Sequence, residues 1–251
     1  TDAFAADDSE LVFGNILGGT LAFQSTGSPL DGIDNMTPTA HNDAEGMVGS
    51  INDVSGANGD FGIRYTLDDI AGSGIKLDYN YVPVHGTGDA TGDEAFSGGA
   101  NGAKDAHDIT LTGSVPGVEG LNMGVGYSRR NYDHKVGGTP QQERHDGTAY
   151  ATYAYGPVTV GYQVGAHDTA GNGGAGYKNT YMGISYAVSD DLSVSYNDTV
   201  SRKMGGAHTA NPIEQDWDSI SISYSMGGMT FNVADSDCGN CSYTSGRTES
   251  E

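Results

Sequence analysis

The stretch WDSISISYSMGGMTFNVADS, residues 217–236, places an apolar side chain at every second position over most of its length, with serine between. A period of two is typical of a β-strand with one apolar face, and a Gly-Gly pair between two such runs predicts a hairpin. We therefore expect two antiparallel strands joined at Gly227 and Gly228, each with a second face of small polar residues. The apolar face carries Ile220, Ile222, Tyr224, Met226, Phe231 and Val233.

The same alternation recurs along the chain. A weaker pair of alternating runs lies at residues 9–25, and four stronger pairs lie at residues 61–81, 109–127, 149–164 and 182–196. No helical period of comparable strength is present, and the 40 glycines disfavour long helices. The sequence therefore predicts an all-β chain of about twelve strands, arranged as hairpins.

The composition excludes two classes of protein. The chain has 33 Asp and Glu against 11 Lys and Arg, a formal net charge of -22. It therefore lacks the basic surface that phosphate binding requires, and we expect no nucleic acid partner. No run of about 18 apolar residues is present, which excludes a transmembrane helix. Hydrophobic residues make up only 36% of the chain, so a conventional core would be thin.

The lengths of the connections distinguish a soluble β-protein from a membrane barrel. Each hairpin closes in a turn of a few residues, whereas consecutive hairpins are joined by long polar segments. These segments lie at residues 28–60, 85–105, 133–146, 168–178, 202–216 and from 237 onward. Strict alternation of short and long connections is typical of an outer-membrane barrel, which has short periplasmic turns and longer extracellular loops.

The two faces of the expected strands support this interpretation. The apolar faces carry no charge at their centres and hold ten of the 15 tyrosines, several of them near turns, as in the aromatic girdle of a barrel. The opposite faces hold Arg64, Lys76, Asp78 and many Ser, Thr and Gly residues. We predict an antiparallel transmembrane β-barrel. The alternative is a soluble or secreted acidic, Gly-rich β-protein, such as a calcium-binding adhesin or a structural protein, that buries its apolar faces.

Two segments of the chain carry a family resemblance. Residues 9–31, SELVFGNILGGTLAFQSTGSPLD, form a strand-turn-strand pattern that ends in Ser-Pro-Leu-Asp, and residues 62–81, GIRYTLDDIAGSGIKLDYNY, form the next hairpin. Both segments resemble the general trimeric porins of Gram-negative bacteria, in particular those of alphaproteobacteria. The resemblance extends over nearly the whole chain, residues 1–251, as a single barrel domain. The predicted strands then match the fourth to the fifteenth strand of a porin barrel.

The chain departs from this family at two places. Gln24 and Ser25 stand where such porins usually carry Gly-Arg, so a basic residue common at the pore constriction is missing. The final residues, SYTSGRTESE, are typical of a loop, whereas the family ends in a strand with a terminal aromatic residue. We therefore expect a fragment of a barrel of about sixteen strands, lacking strands at both ends.

The resemblance implies a function and a site. It implies a homotrimer in the outer membrane of a Gram-negative bacterium, among lipid and lipopolysaccharide, that passes small hydrophilic solutes and ions by passive diffusion. Residues 28–60 would fold into the barrel as a constriction loop that faces Arg64 and Lys76, and selection would be electrostatic. The acids of this loop are Asp31, Asp34, Asp43, Glu45 and Asp53. Because acids are numerous and Ser25 replaces an arginine, we expect a preference for cations.

No motif for catalysis or cofactor binding is evident in the sequence. It contains no Gly-x-Ser-x-Gly elbow and no phosphate-binding loop, so we expect neither an enzyme nor a bound cofactor. Clustered carboxylates in the acidic loops could hold Ca²⁺, although their spacing identifies no metal site. Cys238 and Cys241 could form a disulfide in the last loop or stay free thiols, and two cysteines cannot complete a four-ligand zinc site.

Overall fold

The computed structural model of the chain describes residues 10–24, 27–41, 51, 53–57, 61–85, 103–132, 135–136, 139–140, 143–168, 176–204 and 213–250. Two of the acids expected at the constriction, Asp43 and Glu45, lie outside the described residues. Within the described ranges, no helix is long enough and apolar enough to cross a membrane.

Thirteen strands form one antiparallel sheet in which neighbouring strands follow chain order. The strands of the chain are β1 (Glu10–Ile16), β2 (Gly19–Gln24), β3 (Gly62–Leu67), β4 (Ile75–Val82), β5 (Ala103–Ser114), β6 (Leu121–Tyr132), β7 (Lys135–Val136), β8 (Thr139–Pro140), β9 (Arg144–Tyr155), β10 (Val158–Asp168), β11 (Gly176–Ala187), β12 (Leu192–Met204), β13 (Ile213–Met226), β14 (Met229–Gly239) and β15 (Thr248–Ser250). The short strands β7 and β8 pair separately with each other. Two 3-10 turns lie at Asp31–Ile33 and Cys241–Tyr243. In the described part of the chain, no ladder joins the edge strands β1 and β15.

The all-β prediction and its hairpins are confirmed. Every predicted pair of runs forms two neighbouring antiparallel strands, and the opening stretch forms β13 and β14. Their register runs from Met226 opposite Met229 at the turn to Asp216 opposite Gly239 at the far end. The sheet is therefore an up-and-down meander rather than two packed sheets.

The strands differ from the prediction at the ends away from the short turns. β13 begins at Ile213, inside the expected loop at 202–216, because ladder pairing continues where both faces have become polar and the apolar alternation has stopped. The tail was also expected to be a loop, yet it contains β15, in which Thr248 pairs with Gly239 of β14. Three residues are too few for a period of two to be recognised.

The two faces of the sheet have opposite chemistry. On the outer face, which we define as the face directed away from residues 27–57, large apolar side chains are exposed, and Ile220 is 56% exposed. On the inner face the buried side chains are mostly polar, and Ser221 is 0% exposed. A soluble protein has the reverse arrangement. Further exposed residues of the outer face are Val125, Tyr127, Tyr162, Met182, Ile184, Tyr196, Ile222, Tyr224 and Phe231.

The buried apolar side chains form small clusters rather than one core. In the described residues the largest such cluster joins Leu30, Ile33 and Val54 to Tyr150 of β9, with Met36 packed against it. Leu30, Ile33, Met36 and Val54 belong to the connection between β2 and β3. We call residues 27–57, as far as they are described, the inner segment. The sheet therefore encloses part of its own chain, and not a conventional hydrophobic core.

Candidate functional site

The inner segment is fastened to the inner wall by side-chain amides. The Gln163 amide of β10 donates through Nε2 to the Ile33 carbonyl at 2.9 Å and to the Asp34 carbonyl at 2.5 Å. Its Oε1 accepts the Met36 backbone N–H at 2.7 Å. A buried side-chain amide needs several partners to offset the loss of water, and here the backbone of the segment supplies them. Gln163 therefore fixes the segment at the middle of the wall.

The next residues of the segment continue across the neighbouring strands. Asn197 of β12 donates through Nδ2 to the Pro38 carbonyl at 3.1 Å. Ser195 of β12 accepts the Ala40 N–H at 2.9 Å, and Ser221 of β13 accepts the His41 N–H at 3.2 Å. The segment thus crosses from β10 to β13 and stays on one face of the sheet.

These contacts correct one expectation about the serine face of the opening stretch. The polar face of a porin strand normally lines a water-filled lumen, but Ser219 and Ser221 are both buried. Ser221 contacts the inner segment and the Ser195 hydroxyl, at an oxygen-to-oxygen distance of 2.7 Å. Ser225, nearer the short turn, is exposed. The small polar face therefore serves partly as a docking surface for the chain itself.

The returning part of the segment carries Asp53 and Ala57. Asp53 Oδ1 accepts the Val54 N–H at 2.6 Å and the Asn179 side-chain amide of β11 at 3.4 Å. The Ala57 N–H donates to the carboxylate of Asp108 on β5 at 3.1 Å. Both ends of the segment are therefore held by polar side chains of the wall.

One cavity, of about 590 Å³, brings together three of the residues nominated from the sequence. Asp31 lines it from the inner segment, and Arg64 of β3 and Lys76 of β4 line it from the wall. The other nominated acids do not share it. Asp34 and Asp53 lie over β10 and β11, beside Gln163 and Asn179. The structure thus separates the nominated acids into two groups. The remaining lining residues are Gly27, Ser28, Pro29, Gly32, Ile33, Met36, Thr112 and Tyr150.

Arg64 and Lys76 both contact Asp78. The sequence predicted that Asp78 shares their face but did not nominate it as a site residue. Asp78 of β4 accepts Arg64 Nε at 2.6 Å, forms an ion pair with the same guanidinium, and lies 3.6 Å from Lys76 Nζ. Its side chain is only 4% exposed, whereas that of Lys76 is 43% exposed. We expected both cations to face the loop acids, but their nearest acid is on their own wall. Strand parity had placed Asp78 only on the same face as the two cations.

The pKa values of the second group of acids are raised. Burial raises the pKa of the Asp34 carboxyl to about 7, and the nearby carboxylates of Asp53 and Asp31 add to the shift. Burial also raises the pKa of Asp53, while hydrogen bonds from Tyr181, the Val54 backbone and Asn179 oppose the shift. A carboxyl with a pKa near 7 changes its charge within the physiological range, so this group can alter the field of the site.

The last segment of the chain also returns to the inner wall. Cys238 and Cys241 are joined by a disulfide, and both pack against Trp217 of β13, with Ile51 of the inner segment alongside. The Tyr243 hydroxyl lies 2.7 Å from the Ser201 hydroxyl, and its backbone N–H donates to Gln215 Oε1 at 3.2 Å. The disulfide therefore belongs to a second group of contacts on the inner face.

No metal site can be assigned from the described residues, because no group of three or more His, Cys, Asp or Glu side chains in them has an arrangement that could hold an ion. The expectation that acidic loops bind Ca²⁺ stays a prediction, as does the expectation that the chain has no cofactor and is not an enzyme.

Solved structures provide the comparison with known proteins, since no family model matches the chain and no curated protein matches its sequence. The fold resembles an anion-selective porin from Comamonas acidovorans, with a TM-score of 0.58 and 13% identity over 88% of this chain and 64% of that one. It also resembles OmpT, an outer membrane protein of Vibrio cholerae, with a TM-score of 0.57 and 8% identity over 92% of this chain and 70% of that one. A third structure, described as a porin, gives a TM-score of 0.58 and 10% identity over 88% and 72% of the two chains.

Together these matches define the fold. The chain spans between 64% and 72% of the length of the three structures. Its antiparallel sheet of 13 strands is consistent with these alignments. The chain therefore has the antiparallel barrel fold of bacterial outer-membrane porins.

Proposed function

We propose that this chain is the larger part of an outer-membrane porin, which forms a water-filled channel for passive diffusion of small hydrophilic solutes and ions. The observation that carries the proposal is the polarity of the sheet. Its outer face exposes residues such as Ile220 and Phe231, whereas its inner face carries Ser, Asn, Gln and Asp side chains. Apolar residues facing outward are stable in lipid, and polar residues facing inward suit a hydrated lumen.

The inner segment gives the channel its selectivity in this proposal. It crosses the lumen side of the wall from β10 to β13 and, with Arg64 and Lys76, encloses the cavity of about 590 Å³. Rings or clusters of charged side chains at a narrow point select ions by charge. We propose residues 28–60 as the constriction loop, with Asp31, Asp34 and Asp53 as its described acids, and Asp43 and Glu45 as further candidates.

We propose a preference for cations. The chain has three times as many acidic as basic residues, 33 against 11, and Ser25 stands where related porins usually carry a basic residue. Negative potential in a narrow pore raises the local concentration of cations. The structural match to a porin described as anion-selective concerns the fold, and the charges of this chain argue for the opposite sign.

Planar-bilayer recording tests the channel and its selectivity separately. The full-length protein, folded in detergent, is added to a bilayer in KCl, and stepwise increases in current are expected. A salt gradient is then applied, and the reversal potential is expected to have the sign of a cation-selective pore. A correctly folded protein that never raises the conductance would overturn the channel. Anion preference would overturn only the proposed selectivity.

The proposed setting is the outer membrane of a Gram-negative bacterium, among lipid and lipopolysaccharide. We further propose a homotrimer, on the basis of the porin resemblance and of a match, with a TM-score of 0.56, to a trimer form of OmpT. Membership of the alphaproteobacterial type also belongs to this proposal, since it rests on residues 9–31 and 62–81 alone.

A further inference from the structure

The cavity between the inner segment and the wall has opposite charges on its two sides. Asp31 lies on the segment side, in the 3-10 turn, and Arg64 and Lys76 lie on the wall side. Among the described residues, no ion pair within 4.0 Å joins Asp31 to either cation. The opposite charges therefore stay apart across a space of about 590 Å³.

The charge on each side can be counted. On the wall, the Arg64 guanidinium and the Lys76 ammonium share a single carboxylate, that of Asp78, whose side chain is 4% exposed. Among the ion-paired groups at the cavity, two cations and one anion leave one positive charge, and the half-exposed Lys76 presents it to the cavity. Glu10 and Asp108 also act on Arg64, but neither lines the cavity. On the segment side, Asp31 leaves one negative charge. The cavity is therefore dipolar, and a solute that fits it best carries both charges.

Apolar groups supply about half of the surface of the cavity. Pro29, Ile33 and Met36 contribute to it from the inner segment, and Tyr150 contributes from β9. A cavity of about 590 Å³ lies within the roughly 300–1,000 Å³ range of small-molecule sites. Such a lining favours an apolar group between the two charges of the solute, because burying it releases water from both surfaces.

We propose that this cavity selects zwitterionic α-amino acids with small apolar side chains as they pass through the pore. The carboxylate of the solute faces Lys76 and Arg64, its ammonium group faces Asp31, and its side chain lies against Met36 and Tyr150. A neutral solute of equal size leaves both charged sides to water, and a solute with one charge meets a like charge on one side. The inference rests on the proposed porin function and narrows its solute class.

Liposome swelling with pairs of isomers tests the inference, because the two solutes of each pair have the same size and differ only in charge. L-alanine is compared with lactamide, and L-valine with 2-hydroxyisovaleramide, because each pair has one composition and differs in charge. After subtraction of the rate in protein-free vesicles, each amino acid is expected to enter about threefold faster than its neutral isomer, the effect of weak contacts with exposed charges. Asp31→Asn and Lys76→Gln are each expected to bring the ratio close to one.

Matched controls make the same chemical changes away from the cavity. Asp190 lies in the turn after β11, and Lys178 lies on the outer face. Asp190→Asn and Lys178→Gln are therefore expected to keep the ratio of entry rates of the unmodified protein. Heat-dependent electrophoretic mobility shows that each variant is folded. Equal entry of the isomers through the unmodified protein would overturn the inference while leaving the porin intact. An unchanged ratio in both cavity variants would also overturn it. Failure of every solute to enter would overturn the porin proposal itself, and this inference with it.

Discussion

At the scale of single residues, glycines on the inner wall leave room for the inner segment to pack against the strands. Gly161 of β10 and Gly183 of β11 are paired directly across the two strands. A Cβ atom on Gly183 would lie 2.7 Å from Asn197 Nδ2, which binds the Pro38 carbonyl, 2.9 Å from that carbonyl oxygen and 3.0 Å from Thr37 Cβ. All three contacts are closer than normal packing allows. Glycine is therefore required here for the inner segment to lie flat on the wall.

Replacement of Gly183 by alanine is expected to destabilise the attachment of the segment. The added methyl group meets backbone and a short side chain, so overpacking should cost about 1–3 kcal/mol in the free energy of unfolding. Denaturant unfolding in detergent, followed by the fluorescence of the single Trp217, measures it. Gly147→Ala is the control, because its Cβ would meet only the Gly126 oxygen, at an ordinary 3.6 Å. Equal losses in the two variants would show that contact with the segment is not the cause.

A second residue-scale prediction concerns the charge of Asp34. Its pKa is raised from 3.8 to about 7, mainly by burial, so the folded segment keeps a proton that the unfolded chain releases. The stability associated with the neutral carboxyl is therefore fully present below pH 3.8 and is lost as pH rises through about 7. In the same interval the site gains a negative charge.

The preference for cations is accordingly expected to increase as pH rises from 6 to 8. One added charge about 7 Å from a passing ion in water favours a cation and disfavours an anion by about two- to threefold each, so at low salt the permeability ratio should change by about four- to ninefold. Reversal potentials at a series of pH values measure this step. Asp34→Asn should abolish the step, whereas Asp190→Asn, in the exposed turn after β11, should leave it in place. A step of full size in Asp34→Asn would assign it to another group.

At the scale of the secondary-structure element, β13 shows how one strand serves two environments. From Ser219 to Ile222, buried serines on the inner face alternate with exposed isoleucines on the outer face. Because the side-chain period is two, a shift by one residue would exchange the two faces. The alternation therefore fixes the register of the strand against both surroundings.

Placing a lysine at neighbouring positions of β13 tests this assignment. Ile222→Lys is expected to destabilise the protein in lipid vesicles by about 2–4 kcal/mol, the cost of a charge in the lipid-facing band. Ser223→Lys changes the adjacent residue on the inner face and is expected to cost less than about 1 kcal/mol. The fraction of folded protein, measured by heat-dependent electrophoretic mobility, compares the two variants. Similar losses would contradict an outer face in contact with lipid.

At the scale of the whole molecule, the exposed apolar face determines how the protein behaves in solution. Large apolar residues are exposed from β1 to β14, an extent that isolated surface residues of soluble proteins do not reach. Such a surface associates in water unless lipid or detergent covers it.

We therefore expect a monodisperse protein only in detergent. Light scattering in detergent should give three times the 25.9 kDa chain mass if the proposed homotrimer forms from this chain. Circular dichroism should show β-structure throughout. A monodisperse monomer in plain buffer with its tyrosines buried would contradict the porin proposal and favour the soluble acidic β-protein. A detergent-solubilised monomer would contradict only the trimer.

Local signals in the sequence determined the strands, their faces and the alternation of short and long connections. A period of two and a Gly-Gly turn involve residues within a few positions of each other, so both can be recognised in the sequence without the tertiary structure. Strand parity also placed Arg64, Lys76 and Asp78 on one face. It gave no signal for β15 or for the far ends of β13, because pairing there continues without an apolar face.

Only the tertiary structure decided what the inner face holds. The Gln163 amide and the Met36 N–H are 127 residues apart, and the Ser221 hydroxyl and the His41 N–H are 180 residues apart. Nor could spacing show that Asp31 joins Arg64 and Lys76 in one cavity while Asp34 and Asp53 lie elsewhere. The pKa of Asp34 likewise depends on burial beneath distant strands. Strand formation is a local property of a chain, whereas the burial and pairing of charges depend on which distant residues the sheet brings together.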